Sequence, residues 1–377
     1  MNRRKKKVLI LYDYFSPAYR AGGPTQSLVN LVRQLHPQID FFVICGSRDH
    51  GLSNELTSVT VNRWIDWDGQ AKVYYWRVNA RQMFRIQKLV KAVDPDYIFI
   101  NGLYSFWFNI LPLMLKHGKI ILSVRGMLHQ AALNQKSFKK RLFLNFFKWM
   151  NWHRKVAFHA TDEQEKTCIR QEFGDKVQVA VAGNFPNEIP FQEPVGKIQG
   201  QLNILTIALV SPMKNHQLVL ESLRQVSGNV RYKIYGPIKD SSYWKTCMQT
   251  ISALPSGINV EYCGELSPDQ VASALAEGHV FVLPSQSENF GHSIFEALSA
   301  GRPVITSDGT PWKFLHKNNC GYTLSLNNIR TELPAVLQDY VDMNEEKYAV
   351  QGREARNYIE QTAKKELLQQ QYLALFN

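Results

Sequence analysis

Cysteine is scarce and scattered. The five in this 377-residue chain are Cys45, Cys168, Cys247, Cys263 and Cys320, with no C-x-x-C pair and no histidine at metal-ligand spacing. That distribution argues against a disulfide framework or a zinc site and reads as reduced thiols in a cytosolic protein. Long apolar runs are also missing. The opening MNRRKKKVLILYDYF begins like an export signal, but Asp13 ends its apolar run. About six residues are too few for a signal core or a membrane span, so the segment reads as a basic tail leading into a buried strand. There is no G-x-x-x-x-G-K-[ST], no H-E-x-x-H and no G-x-G-x-x-G, which weighs against an ATPase, a zinc hydrolase and a nicotinamide enzyme. Two D-x-D triplets, Asp66-Trp67-Asp68 and Asp94-Pro95-Asp96, have the form of a metal motif. The first lies in a Trp-rich loop and the second directly precedes a strand, so both are expected to be turns and no metal is expected.

What is present suits two globular domains. An apolar fraction of 45% and a charged fraction of 20% leave no segment biased enough for disorder. The net charge of +12 calls for an anionic partner: nucleic acid, a membrane surface or a phosphate-bearing substrate. Basic residues are dispersed and no nucleic-acid module is recognisable, so nucleic acid is not expected as a partner.

Short runs rich in Val, Ile, Tyr and Phe alternate with helix-period segments along nearly the whole chain, the pattern of parallel sheets with crossover helices. In the first half the strands are KVLILYDY, DFFVICGS, KVYYWRV, DYIFING, KIILSVRG, KVAFHAT and VQVAVAG. Helices are expected at about 23–35, 81–93, 106–117, 134–152 and 162–172. The pattern lapses over residues 183–201, a Pro-, Gly- and polar-rich linker. It restarts with LNILTIALV and continues through VRYKIYG, INVEYCG, HVFVLPS, RPVITS and GYTLSL. From about Asn344 a long charged helical tail follows, with Tyr348, Arg353, Tyr358 and Leu367 to Leu375 offering apolar faces. The expected division is 1–186, 187–355 and a terminal helix over 356–377. Two doubly wound units carry their ligand sites at the carboxyl ends of the strands, facing a shared cleft.

The most informative stretch is HVFVLPSQSENFGHSIFEALSAGRPVITS, residues 279–307. A buried strand ends at Pro284, a polar loop carries Glu288 and Gly291, and a helix holds Glu296. Two carboxylates can thus line one pocket from two directions. The amides of Phe290, Gly291, His292 and Ser293 stand where the helix begins, an anion site suited to phosphate. Ser293 and Glu296 also read as a capping box that serves helix stability alone.

This S-x-x-E-x-F-G-x-x-x-x-E-A-L-x-x-G-x-P-V-I arrangement resembles the signature of the group 1 retaining glycosyltransferases, relatives of glycogen synthase and sucrose synthase. The resemblance implies an α/β fold of the GT-B type: two Rossmann-like doubly wound domains across a cleft, with a C-terminal helix returning to the first. It places Glu288 beside the donor sugar as the catalytic carboxylate and Glu296 on the ribose hydroxyls. In VSPMKNHQLVLESL it matches Lys214 to the lysine that contacts the donor diphosphate. Five residues earlier the family has an arginine, and here the residue is Leu209. Gly22 and Gly23 in RAGGPTQS resemble the family's glycine turn near donor phosphates and acceptor, although Gly-Gly-Pro is also an ordinary turn before a helix. Arg125 stands where many relatives have a histidine that contacts the donor sugar. His129, four residues on, is the weaker candidate there and reads first as a surface or packing histidine.

The family link implies metal-independent, retaining transfer of a sugar from a nucleotide-diphosphate sugar, which serves as co-substrate with no further cofactor. The acceptor side rests on residues 136–155, KSFKKRLFLNFFKWMNWHRK, which mix Lys and Arg with apolar residues at helical spacing. Phe138, Leu142, Phe146 and Trp149 form one stripe, widened by Phe143, Phe147 and Met150. Either the helix packs in a core with solvated basic residues, or it lies on an anionic membrane surface and the protein is peripheral on the inner face of the cell membrane. The second reading suggests a lipid-linked glycan acceptor in bacterial capsule, O-antigen or exopolysaccharide assembly. The alternatives are a nucleotide-sugar epimerase and a non-catalytic sugar-nucleotide-binding protein.

Overall fold

A computed structural model describes residues 4–79, 84–114, 118–129, 133, 137–193, 195–362 and 364–377. They form two compact units. The first joins residues up to Phe185 with Lys364–Asn377, and the second is Pro186–Ala363.

The first unit is built on eight strands: β1 (Lys6–Leu11), β2 (Ile39–Gly46), β3 (Trp64–Trp67), β4 (Ala71–Trp76), β5 (Tyr97–Asn101), β6 (Lys119–Ser123), β7 (Ala157–Ala160) and β8 (Val179–Val181). Their order is β3-β4-β2-β1-β5-β6-β7-β8, parallel throughout except β3, which runs antiparallel to β4. Val8, Leu9, Ile10 and Leu11 are all fully buried, as a central strand covered on both faces requires. Local chemistry sets the helix limits. Helices α1 (Gly23–Leu35), α2 (Arg85–Val93), α3 (Ser137–Trp149) and α4 (Glu163–Phe173) alternate with the strands. The Asp162 carboxylate accepts from the Glu165 amide at 2.7 Å and starts α4, with Glu163 and Glu165 favouring the positive end of its dipole. Asp94, in the left-handed region at φ 50°, ends α2.

The second sheet has the order β11-β10-β9-β12-β13-β14, all parallel. Its strands are β9 (Gln201–Ile207), β10 (Asn229–Tyr235), β11 (Ile258–Tyr262), β12 (Val280–Leu283), β13 (Val304–Ser307) and β14 (Gly321–Leu324). Numbered from its own first strand this is 3-2-1-4-5-6, the doubly wound arrangement whose ligand crevice opens where the order reverses, beside β9 and β12. Helices α5 (His216–Leu223), α6 (Ser241–Ile251), α7 (Val271–Ala276), α8 (His292–Ser299), α9 (Ile329–Asp342) and α10 (Glu345–Thr362) complete the unit.

Helix α11 (Lys365–Leu375) belongs to the first unit. Tyr372 and Phe376 enter its core, Tyr372 stacks on Phe185 at 5.3 Å, and the Tyr97 hydroxyl donates to the Asn377 carbonyl at 2.5 Å. The tail is therefore two helices, and its first, α10, lies wholly in the second unit. Residues 356–362 continue α10, so the return begins at Lys364.

Several boundaries differ from the sequence reading. Asp66 and Trp67 belong to β3; the turn that follows holds Asp68 and Gly69 at φ 53° and 68°, and the Gly69 amide donates to Asp66 at 2.7 Å. Asp96 accepts from the Lys7 amide at 2.8 Å and so has a structural task. Helix 134–152 stops at Trp149, because Asn151 turns left-handed at φ 55°. Segment 106–117 becomes a π turn, Phe106–Ile110, running into Leu111–Leu113. Residues 81–83, 115–117 and 134–136 of the expected helices lie outside the described residues.

Tyr372→Ala is expected to destabilise the first unit by about 3–5 kcal/mol, the usual cost of truncating a buried aromatic. Denaturant unfolding followed by a first-unit probe checks this, and an unshifted midpoint would mean that α11 is not docked.

Candidate donor-binding site

The loops that leave β9 and β12, the two strands at the reversal of the second sheet, are joined to each other. Asn215 Nδ2 donates to the Pro284 carbonyl at 3.2 Å, and the Gln286 amide donates to the Met213 carbonyl at 2.9 Å. Between these clamps the Lys214 ammonium meets Glu288 Oε1. The same oxygen accepts from the Ser285 hydroxyl at 2.9 Å. Both charged side chains are mostly buried, at 18% and 13% exposure, so the pair interacts in a partly desolvated setting where attraction is stronger than at a surface. Lys214 ends a 3-10 turn, and Asn215 at φ 63° begins α5.

Directly beside Lys214, His216 is 1% exposed and both its ring nitrogens lack a hydrogen-bond partner. Burial, with the Lys214 charge adding to it, lowers its pKa to about 4. The ring is therefore neutral.

Glu288 is followed by the turn into α8. Gly291 is the N-cap residue at φ 78°, a conformation that suits glycine, and no side chain caps the helix. His292 is its first residue and Ser293 its second, so Ser293-x-x-Glu296 is not a capping box. Glu296 lies one turn in, 9% exposed, and accepts from Asn187 Nδ2 at 3.2 Å. Burial raises its pKa to about 7 against the lowering effect of that hydrogen bond. A carboxyl poised near neutrality in a ligand crevice is a functional signal. Phe290 packs against the His292 ring at 4.8 Å and the Trp312 ring at 5.8 Å.

The remaining candidates are in the first unit. Gly22, φ 74°, is the N-cap of α1, and Gly23 is its first residue. The loop before them is held by Asp49, whose carboxylate accepts from the Tyr19 and Arg20 amides at 3.1 and 3.2 Å. Arg125 follows β6 with φ 51° and is 9% exposed. Its Nε donates to Asn101 Oδ1 at 2.6 Å and its Nη1 to Asn184 Oδ1 at 2.5 Å. A guanidinium so engaged ties strand ends together. His129 Nε2 is buried without a partner. Leu209, half-buried after β9, brings no charge to the site.

Sequence reasoning passed over Asn187, Gly309, Trp312 and His216. Ser285 was inside the motif but had no role there. Trp312 belongs to no motif, and only the fold brings it to Phe290.

The second unit matches the profile of glycosyl transferases group 1 over residues 188–365, and the first matches that of glycosyltransferase family 4 over residues 21–185. The chain belongs to the group 1 glycosyltransferases of GT-B fold. Among solved structures, this glycosyltransferase resembles sucrose-phosphate synthase from Thermosynechococcus elongatus, with a TM-score of 0.76 and 13% identity over 99% of this chain and 98% of that one. HepE from Anabaena, solved with UDP and glucose, gives 0.70 and 15% over 98% and 99%. WaaG, a glycosyltransferase involved in lipopolysaccharide biosynthesis, gives 0.65 and 15% over 98% and 99%. A curated relative, the sulfoquinovosyl transferase SQD2 of Arabidopsis thaliana, is 33% identical over 88 residues. That stretch is 23% of this chain and 16% of the relative.

The Glu296 shift makes stability fall with pH. The unfolded carboxyl ionises near its ordinary 4.5, while the folded one holds its proton to about 7. Stability is thus undiminished below pH 4.5, declines between 4.5 and 7, and above 7 carries the full cost of about 3 kcal/mol. Glu296→Gln should therefore stabilise the protein at pH 8 and leave it unchanged at pH 4, measured by urea unfolding at both values. Equal midpoint shifts at the two values would refute the assignment.

Proposed function

We propose that this glycosyltransferase moves a sugar, with retention of anomeric configuration and without a metal ion, from a nucleotide-diphosphate donor to a lipid-linked glycan. The observation that carries the donor half is the meeting of Lys214 and Glu288 at the reversal of the second sheet, one helical entry away from Glu296. Lys214 neutralises the leaving diphosphate, aided by the amides that open α8. Glu288 holds hydroxyls of the donor sugar. Glu296, as a carboxylate, accepts from the ribose hydroxyls, so nucleotide binding releases its proton near neutral pH and strengthens as pH rises through about 7. The bond from the anomeric carbon to the phosphate oxygen breaks, and a bond to the acceptor hydroxyl oxygen forms on the same face. The departing phosphate oxygen takes the hydroxyl proton. UDP is the first nucleotide to test, since HepE was solved with it.

The acceptor half rests on α3. Phe138, Leu142, Phe146 and Trp149 are 79%, 63%, 43% and 74% exposed, whereas Leu144 and Phe147 on the other side are buried in the core. Core packing accounts for the inner face and leaves the outer one exposed among the described residues. Lys139, Arg141, Arg154 and Lys155 are exposed nearby, and from Tyr97 to Thr161 the sequence has no Asp or Glu. Apolar anchors within a cationic field suit an anionic bilayer, each Lys or Arg adding about 1 kcal/mol near the surface. Lys136 of this stretch lies outside the described residues, and no described helix is long and apolar enough to cross a membrane. WaaG, which shares the fold, is a glycosyltransferase involved in lipopolysaccharide biosynthesis.

Calorimetry against UDP-, GDP- and ADP-sugars should find one donor whose binding is lost in Glu296→Ala. Lys214→Ala should lower kcat/KM by roughly 10–150-fold, the worth of one charge-assisted hydrogen bond. No binding across the panel would overturn the donor reading, and epimerised donor formed without acceptor would replace transfer with epimerisation.

For the membrane half, the protein should float with phosphatidylglycerol vesicles at low salt and lose much of that binding in Phe138→Ala/Trp149→Ala. Recovery of the wild type in the soluble fraction alone would remove it.

A further inference from the structure

The turn between Glu288 and α8 is short, contains Gly291 in a left-handed conformation, and lacks a side-chain cap at its helix. The loop after β13 holds it at both ends. Gly309 accepts the Glu288 amide on its carbonyl at 3.0 Å, and a side chain at Gly309 would strike the Gln286 carbonyl at 2.4 Å. At the other end the Trp312 indole Nε1 donates to the Phe290 carbonyl at 2.6 Å. A side chain at Gly291 would meet that indole nitrogen at 3.1 Å, so ring and turn are in direct contact.

The loop that does the holding is itself anchored. Trp312 is 5% exposed, flanked by Phe290, Phe295 and Tyr358. Its carbonyl accepts from the Thr323 hydroxyl of β14 at 2.8 Å, and the Asp308 amide donates to Leu324 at 2.8 Å. Strand β14 thus supports Trp312, and Trp312 supports the turn.

We infer that Trp312 is a positioning residue for donor binding: through the Phe290 carbonyl its indole N–H presets the Glu288–Gly291 turn for a nucleoside diphosphate. The inference rests on the donor reading of the Glu288 and Glu296 loop. A turn that is already ordered loses no further freedom when the ligand arrives, so removing the hydrogen bond transfers that ordering cost to binding. A role confined to core packing would affect stability alone.

The test is calorimetric titration of UDP into wild type, Trp312→Phe and Phe295→Leu, with melting temperatures for all three. Trp312→Phe keeps a ring and loses the donor. Phe295→Leu disturbs the same aromatic cluster and leaves the Phe290 hydrogen bond in place. UDP binding about tenfold weaker in Trp312→Phe, and near wild type in Phe295→Leu at a comparable loss of melting temperature, supports the inference. Equal affinities, or losses that follow melting temperature in both variants, overturn it. If Trp312→Phe does not fold, Thr323→Val, which releases the Trp312 carbonyl without changing the indole, is read against the same control. It should weaken UDP about threefold, and an unchanged affinity overturns the inference. Wild type that fails to bind UDP removes the donor reading itself, and with it this role.

Discussion

The ion pair between Lys214 and Glu288 is the interaction around which the second unit is arranged. Two loops, from β9 and β12, must converge for it to form, and the strand order places those strands side by side. A mostly buried ion pair is stabilising only when its geometry is fixed and its remaining lone pairs are satisfied, because each charge has given up water. Ser285, the Gly309 carbonyl and the two clamps between the loops provide that fixing. Remove either charge and the other is left desolvated.

Around this pair, titration states are separated by environment. His216 is kept neutral by burial near Lys214, and Glu296 is brought near neutrality by burial one helical turn into α8. The same desolvation acts in opposite directions on a base and an acid. The outcome is a neutral ring beside Lys214 and a carboxyl in α8 that titrates near neutrality.

Much of this was legible in the sequence, for identifiable reasons. Buried parallel strands such as KVLILYDY and HVFVLPS are near-continuous apolar runs, so both sheets could be traced from composition and period. Glu288, Gly291 and Glu296 could be placed around one loop and helix start because they lie within one short segment. What escaped depends on contacts between distant segments. Strand β3 hid behind Asp66, because its pairing with β4 and not its composition makes it a strand. Asn187 and Trp312 act on the site across 109 and 22 residues of sequence, and no local pattern marks either. Arg125 was noticed by position, yet its engagement with Asn101 and Asn184 required coordinates.

Helix α11 gives the first unit a discontinuous chain. Its core includes Tyr372 and Phe376 beside residues from the first hundred, while the second unit is one unbroken stretch. During synthesis the second unit can therefore close once Ala363 has emerged, but the core of the first, although begun earlier, is completed only with Lys364–Asn377. In the interval the surface of Phe185, Phe99 and His159 that these rings cover stays open to water. Chain order and the order in which the two cores can be completed are thus different in this protein.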